Sequence, residues 1–298
     1  MVVEMRGGGE GGRGEPSLPV LLVHGGAGTL AGDEVAARLA GCRAAARQGW
    51  AILHGGGSAL DAVQGAVEVL EDDPLFNAGT GSVLNAEGRV QLDASIMAGP
   101  GGAAGAVAAV TGFRHPIQIA RRLLDDRRHV LLVGEGARRY AVQMGIAECP
   151  EEALIVERQH RLWSERHGTV GCVAVDRHGR TAAATSTGGI PDALPGRVGD
   201  SALIGCGTYA TDLGAVSCTG LGEAIIRVGL ARTALELLAT GREPAAAAAE
   251  AVARLAAVTG AEAGLIVVDR HGRTGHARNS RHMPVCRIAA DGVVVVAA

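Results

Sequence analysis

Aromatic side chains make up only 2% of this 298-residue chain, with two Trp, two Tyr and two Phe. Hydrophobic residues nonetheless reach 47%, enough for a sizeable core in one large domain or two small ones. No run of about 20 apolar residues occurs, which excludes a transmembrane helix. The small-residue stretch 99–112 is uncharged but too rich in glycine to span a bilayer. Residues 1–16 carry Gly, Glu and Arg without an apolar stretch, so a signal peptide is not expected and 1–17 reads as a disordered tail. An excess of positive charge is also missing. The net charge of −3 argues against nucleic acid or an anionic membrane as the main partner.

The six cysteines (Cys42, Cys149, Cys172, Cys206, Cys218 and Cys286) lack C-x-x-C spacing and read as buried thiols of a cytoplasmic protein. The histidines, among them His24, His54, His167, His276 and His282, show neither H-x-x-x-H nor Cys/His ligand spacing, against catalytic zinc. No G-x-S-x-G is present.

What the chain has in excess is glycine, 46 residues without a period. They cluster in loops, as where backbone approaches a ligand or a packed layer. A buried strand at 19–23 ends in His24-Gly25-Gly26-Ala27-Gly28. Helical periodicity covers 33–53, and Ser58 with Asp61 forms an approximate capping box for a helix at 59–70. Strands are expected at 82–85 and 90–97 around the turn 86–89, and again at 129–133. Helices are expected at 116–124, 137–144, 222–238 and 244–259. Charged residues crowd 147–168, which reads as a flexible linker. Strands at 169–175 and 180–186 follow, with another at 293–296. VAVDRHGRTAAATS (173–186) and IVVDRHGRTGHARNS (266–280) form a weak internal repeat, and VLNAEGRVQLDASIM (83–97) shares its strand–turn–strand outline. Hairpins with several amphipathic helices fit an α+β fold, a four-layer α/β/β/α sandwich, better than a doubly wound parallel sheet.

Two chemistries compete. Strand 19–23 followed by Gly26-x-Gly28-x-x-Ala31 approaches a dinucleotide fingerprint, which would make the chain an oxidoreductase using loop 26–31. The acidic residue needed about 20 positions on is not there; that region is Arg47-Gln48-Gly49-Trp50. The other rests on His167-Gly168-Thr169-Val170. Alone, Gly168-Thr169 is the start of a strand. If the bond between them is cut, Thr169 gains an α-amino group with a pKa of about 8 beside its hydroxyl, a built-in base for a nucleophile. Thr185-Ser186-Thr187-Gly188-Gly189 then sets hydroxyls at the end of the paired strand. Arg197 and Asp200 stand three apart, as a local ion pair or as a grip on a zwitterionic amino-acid head. Ser217-Cys218-Thr219-Gly220-Leu221-Gly222-Glu223 turns from strand to helix, an ordinary Thr cap or an oxyanion site.

Taken in order, F-N-A-G-T-G-S-V-L-N, H-G-T-V-G-C-V-A-V-D, A-T-S-T-G-G-I, G-R-V-G-D-S and C-T-G-L-G-E resemble the plant-type L-asparaginase / isoaspartyl peptidase family of N-terminal-nucleophile hydrolases. The resemblance covers about residues 18–298. It implies one domain cut between Gly168 and Thr169 into 1–168 and 169–298, with activity on β-aspartyl dipeptides and L-asparagine. It implies Thr169 as nucleophile, Thr187 as a supporting hydroxyl, and Thr219 with Gly220 as the oxyanion hole. Arg197 would clamp the substrate α-carboxylate, Asp200 with the Gly222 carbonyl would receive the α-ammonium, and Asn77 would order the neighbouring loop. Main-chain oxygens of Leu70, Glu71, Asp73, Phe76, Ala78 and Thr80 would hold a structural sodium ion, and no catalytic cofactor is implied. A homodimer of cleaved units is the family's form. The alternative within the superfamily is a glycosylasparaginase-like amidohydrolase, whose members usually carry Asp-Thr-Ile-Gly at the cut. Leu221 departs from the family, many members of which have a polar residue or histidine there.

Overall fold

Two β-sheets stack face to face with helices on both outer sides. The computed structural model describes residues 18–156 and 168–298. The expected tail 1–17 and the 157–167 part of the expected linker lie outside them.

The larger sheet has the order β12-β11-β1-β5-β6-β2-β3-β4. Its strands are β1 (Val20–His24), β2 (Leu92–Ala98), β3 (Ala104–Val110), β4 (Leu131–Val133), β5 (Val170–Val175), β6 (Thr181–Thr187), β11 (Val285–Ala289) and β12 (Val294–Ala297). The smaller sheet, order β10-β9-β8-β7, contains β7 (Thr208–Thr211), β8 (Gly214–Gly220), β9 (Ala263–Asp269) and β10 (Thr274–Arg278). All pairings within both sheets are antiparallel except β3 with β4.

Helices α1 (Gly32–His54), α2 (Ala59–Asp72), α3 (Pro116–Asp126) and α4 (Gly134–Gln143) belong to the large sheet's side. Helices α5 (Gly222–Val228), α6 (Leu230–Ala239) and α7 (Pro244–Thr259) cover the small sheet. The period-two alternation of strands sorts the core into layers. Cys172, Ala174, Ala182 and Ala184 face α1–α3, with Val63, Val67, Leu70 and Phe76 among their neighbours. Val173, Val175 and Ala183 face the opposite way, meeting Ala215, Ile266 and Val268 of the small sheet. The four-layer α/β/β/α arrangement is thus realised. With so few aromatics, alanine lines much of each interface and lets the layers approach closely.

Local expectations hold where the chemistry is local. Ser58 caps α2: its Oγ accepts from the Asp61 amide at 3.2 Å and donates to the Asp61 carboxylate at 2.7 Å. The internal repeat is two hairpins with one turn chemistry. Asp176 Oδ1 accepts the amides of His178 and Arg180, and Asp269 Oδ1 those of His271 and Arg273. Asn85 Oδ1 does the same for Glu87 and Arg89, yet 82–85 is not a strand. The Val83 amide goes instead to the Asn77 side chain, and the Leu84 carbonyl accepts from Asp192, which leaves no ladder for 82–85 to join. The expected helix 222–238 is broken at Gly229, whose φ of +62° ends α5 and starts α6. The strand expected at 129–133 shortens to β4. Residues 147–156 of the expected linker are tied down: the Cys149 amide bonds to the Gly112 carbonyl, Glu151 takes Arg89 and the Val90 amide, and Leu154 is buried.

All six cysteines are free thiols. Burial pushes the Cys42, Cys172 and Cys218 thiols well above the usual range, so none is a ready nucleophile. No helix among the described residues is long and apolar enough to cross a membrane.

Candidate active site

β5 lies between β1 and β6, with His24 opposite Gly171 and Val170 opposite Ser186. One residue earlier, Thr169 therefore stands beside the loop that follows β1 and beside Thr187 at the end of β6. Thr169 is buried. The Ser201 Oγ is 3.5 Å from its Oγ1, a long contact for two hydroxyls. The loop after β1 presses on the bond before it. Gly26 has φ +98°, and a Cβ there would come within 2.9 Å of the Gly168 Cα.

Thr187 Oγ1 accepts the Gly189 amide at 3.1 Å. Asn77 stitches that turn to the loop after α2. Its carbonyl accepts from Gly188 at 2.9 Å, its Nδ2 donates to the Gly189 carbonyl at 2.8 Å, and its Oδ1 accepts from Val83. Behind it, the buried Glu71 carboxylate accepts the Ser186 hydroxyl at 2.6 Å and the Ile117 amide at 3.2 Å, joining α2 and α3 to β6.

Thr219, at the end of β8, accepts the Ala27 amide on its Oγ1 at 3.0 Å. The hydroxyl proton is left to donate elsewhere. Gly220 has φ +138°, and a Cβ there would lie 2.6 Å from the Ala263 Cα, so only glycine fits. Gly222 opens α5 against the next loop; a Cβ on it would approach Arg197 Nη2 at 2.7 Å and Asp200 Oδ1 at 2.9 Å.

Arg197 and Asp200 do not form the local pair that their spacing allows. The guanidinium is forked onto Glu223, both contacts 2.9 Å. Asp200 is buried with no hydrogen-bond partner on its Oδ2. Burial pushes its carboxyl up to about 7, Arg197 pulling the other way. A buried carboxylate oxygen without a partner is costly; this one lies toward Gly207, while Oδ1 is turned to Gly222 at the cleft.

Gly168, Thr169, Thr187, Gly189, Ile190, Arg197, Asp200, Gly220 and Gly222 line one cleft, whose open space of about 10 Å³ has room for roughly one water. Thr219 stands next to Gly220 in β8, and Asn77 braces the cleft from behind the 188–189 turn. A larger hollow of about 430 Å³ lies elsewhere, between Asp61, Arg121 and Met144. Its Arg121 is already paired with Asp61 and Asp125, and no hydroxyl or thiol lines it. The smaller cleft is the one that sets a hydroxyl beside Arg197 and Asp200.

Residues to which the sequence reading gave no individual role complete the surroundings. His24 Nε2 is 2.8 Å from Ser217 Oγ, which is 2.8 Å from Thr185 Oγ1; Thr208 and Ser95 continue the chain of hydroxyls between the sheets. Burial lowers His24 to about 3, so the ring is neutral. Asp93, also buried, accepts the amides of Ala109 and Gly199. Alternating polar residues in strands otherwise apolar are the signal that marks these positions.

The loop after α2 gathers backbone oxygens. The Glu71 and Asp73 carbonyls accept from Thr80 and Phe76 of the same loop. Gly79 and Gly81 have φ +54° and +89°, and a Cβ on either would lie 2.5 Å from a carbonyl oxygen, of Glu71 and Arg114 or of Pro74. The Thr80 hydroxyl is buried without a partner. Crowded carbonyls with an orphan hydroxyl suit a hard cation. The loop 26–31 offers no nucleotide cradle, since the chain's own Gly168 occupies the space over Gly26.

A four-layer sandwich with a buried hydroxyl heading a central strand is the fold of the N-terminal-nucleophile hydrolases. The family model described as Asparaginase matches residues 17–167 and 162–297, and the chain belongs to that family. The isoaspartyl peptidase/L-asparaginase of Homo sapiens is 46% identical over 270 residues, covering 85% of this chain and 88% of that one. That of Danio rerio is 43% identical over 270 residues, 86% of this chain and 87% of its own. The plant-type L-asparaginase of Pyrococcus furiosus is 44% identical over 296 residues, 89% and 95% respectively.

Proposed function

We propose that this chain is an autoprocessing threonine hydrolase that cleaves β-aspartyl dipeptides and the side-chain amide of L-asparagine. The observation that carries the reading is the single cleft into which Thr169, Thr187, Arg197, Asp200, Gly220 and Gly222 converge.

The first reaction is on the chain itself. The Thr169 hydroxyl attacks the Gly168 carbonyl, the C–N bond breaks, and the resulting ester is hydrolysed to leave Thr169 as a free N-terminus. Gly168 has no side chain to hinder that approach. Because Gly168 lines the cleft, cutting also makes room for substrate.

In the mature form the Thr169 α-amine takes the hydroxyl proton as Oγ attacks the side-chain carbonyl carbon of substrate. The developing oxyanion is met by the Thr219 hydroxyl, oriented by Ala27, and by the Gly220 amide. Collapse expels ammonia or an amino acid, which leaves with the proton. Water then attacks the ester and releases aspartate. Thr187, one register step beyond the Val170 and Ser186 pair, supports the new ammonium. The Asp200 carboxylate receives the substrate α-ammonium through its Oδ1, the oxygen on the Gly222 side, and Arg197, shared with Glu223, takes the α-carboxylate. Both polar ends of an aspartyl head must then be matched, which rejects amides that lack them.

Carbonyls of Leu70, Glu71, Asp73, Phe76, Ala78 and Thr80 would hold a sodium ion that rigidifies the loop around Asn77, and it takes no part in the chemistry. A cytoplasmic homodimer of cut units completes the proposal. The test is a denaturing gel with N-terminal sequencing and assays on both substrates. Fragments of 168 and 130 residues (298 − 168 = 130) are expected, the smaller beginning at Thr169. A chain that stays intact after long incubation and hydrolyses neither substrate overturns the reading. Thr169→Ala should remain uncut and inactive.

A further inference from the structure

Strand β2 touches the head-group loop twice. Asp93 and Ser95 are two apart on β2 and so share a face. Asp93 Oδ2 accepts the Gly199 amide at 2.7 Å, and Ser95 Oγ donates to the Ser201 carbonyl at 2.6 Å. Asp200 is the residue between those two anchors.

The other Asp93 oxygen holds something different. Oδ1 accepts the Ala109 amide at 2.8 Å, where the β2–β3 register slips between Leu92 and Ala94. Ala109 has φ +48°, a conformation that costs a residue with a Cβ, and bulges of this kind re-aim side chains beside functional sites. Asp93 is paired in register with Thr187. Arg197 lies against the same spot: a Cβ on Gly199 would be 2.8 Å from its Nη1 and 3.4 Å from Asp93 Oδ2. Each oxygen of this buried carboxylate therefore ties down a different piece of backbone, and a guanidinium stands over it.

We propose that Asp93 is a positioning residue for the substrate head group, holding the Gly199-Asp200 backbone and the Arg197 guanidinium so that the Asp200 carboxylate faces the cleft. The inference rests on the reading of Arg197 and Asp200 as the head-group clamp. The charged groups facing Asp200 are Arg197, Asp93 and Glu223; the two acids raise its carboxyl and Arg197 lowers it, all secondary to burial. Burial likewise lifts Asp93 itself to about 6. Removing the Asp93 charge should thus let Asp200 ionise at lower pH.

The experiment compares Asp93→Asn, Ser95→Ala and Asp200→Asn with the parent, each as cut full-length enzyme. The substrates are L-asparagine and succinamate, which lacks the α-ammonium. An Asn at 93 offers one carbonyl to two amides, so one anchor is lost. For Asp93→Asn the expected result is a KM for L-asparagine raised about tenfold or more, with kcat within about threefold. Discrimination against succinamate should weaken, and the acid limb of kcat/KM should move to lower pH. Ser95→Ala should raise KM in the same sense by less, and it carries the test if Asp93→Asn does not fold. Unchanged KM in the folded variants, or a loss confined to kcat, overturns the proposal. If Asp200→Asn also leaves KM unchanged, the clamp reading fails with it; if Asp200→Asn raises KM while the β2 variants do not, only the role of Asp93 fails.

Discussion

The amide of Ala27 donates to the hydroxyl of Thr219 at 3.0 Å, joining residues 192 apart in sequence. Ala27 belongs to the loop after β1, Thr219 to the last turn of β8 before its helix, so this one bond spans the two sheets. Gly26, the preceding residue, packs on Gly168. A single glycine-rich loop thus braces both the bond proposed to be cut and the hydroxyl proposed to hold the oxyanion.

Gly26→Ala should slow processing. The new methyl would meet the Gly168 backbone at 2.9 Å in a conformation, φ +98°, that side chains rarely adopt. Backbone cannot swing away as a side-chain tip can, so the Gly168-Thr169 bond must shift. The appearance of fragments on a time-resolved gel is expected to slow about tenfold or more, and an unaltered rate would count against the role given to this loop.

Thr219→Val keeps the shape of the side chain and removes its hydroxyl. Loss of one oxyanion donor typically costs about 10²–10³ in kcat, and the buried Ala27 amide loses its acceptor, a penalty of about 1–3 kcal/mol. Steady-state kinetics on the cut enzyme should show kcat falling while KM moves little, with Thr219→Ser retaining most activity. Equal loss in the Ser variant would assign Thr219 a packing role only.

His24 makes stability fall in acid. The unfolded chain takes up a proton near the ordinary value of 6.5, whereas the folded ring refuses it until about 3. The contribution is complete above 6.5 and is lost as pH drops through that window, at up to about 1.4 kcal/mol per pH unit. His24→Asn does not titrate there. Urea melts of both proteins at pH 7.5 and 5.5 should show a smaller acid loss in the variant; the carboxylates titrate in both and cancel. Parallel losses would mean that the ring is not held neutral.

Exchanging sodium for tetramethylammonium should lower the melting temperature reversibly, because a bound ion stabilises the folded state in proportion to the logarithm of its saturation. Occupancy 100-fold above Kd corresponds to about 2.7 kcal/mol, a shift of several degrees for a chain of this size. A melting temperature indifferent to the cation removes sodium from the loop after α2.

What could be read along the chain is what short-range chemistry controls. Ser58 and Asp61 cap α2 because the partners are three residues apart. Asp176 and Asp269 organise identical turns because each bonds amides two and four residues on. The same chemistry at Asn85 did not produce a hairpin, since the Val83 amide and the Leu84 carbonyl are committed to Asn77 and Asp192. Gly229 splits α5 from α6 by a backbone angle that periodicity does not report.

The sequence by itself determined the layered α+β fold, the place where a Gly-Thr pair meets a strand, and the residue types of the proposed site. Alternation and turn chemistry are local, and the motifs are short. Only the tertiary structure decided that Arg197 reaches Glu223 rather than Asp200, and that Asp200 keeps an unpartnered oxygen. It alone set Asp93 under the Gly199 amide and His24 against Ser217. Those bonds join residues 26 to 193 positions apart, so nothing nearby in the chain encodes them. They exist because two sheets, packed through small side chains, bring their few buried polar groups within reach of one another, and a buried polar group must find a partner or remain costly.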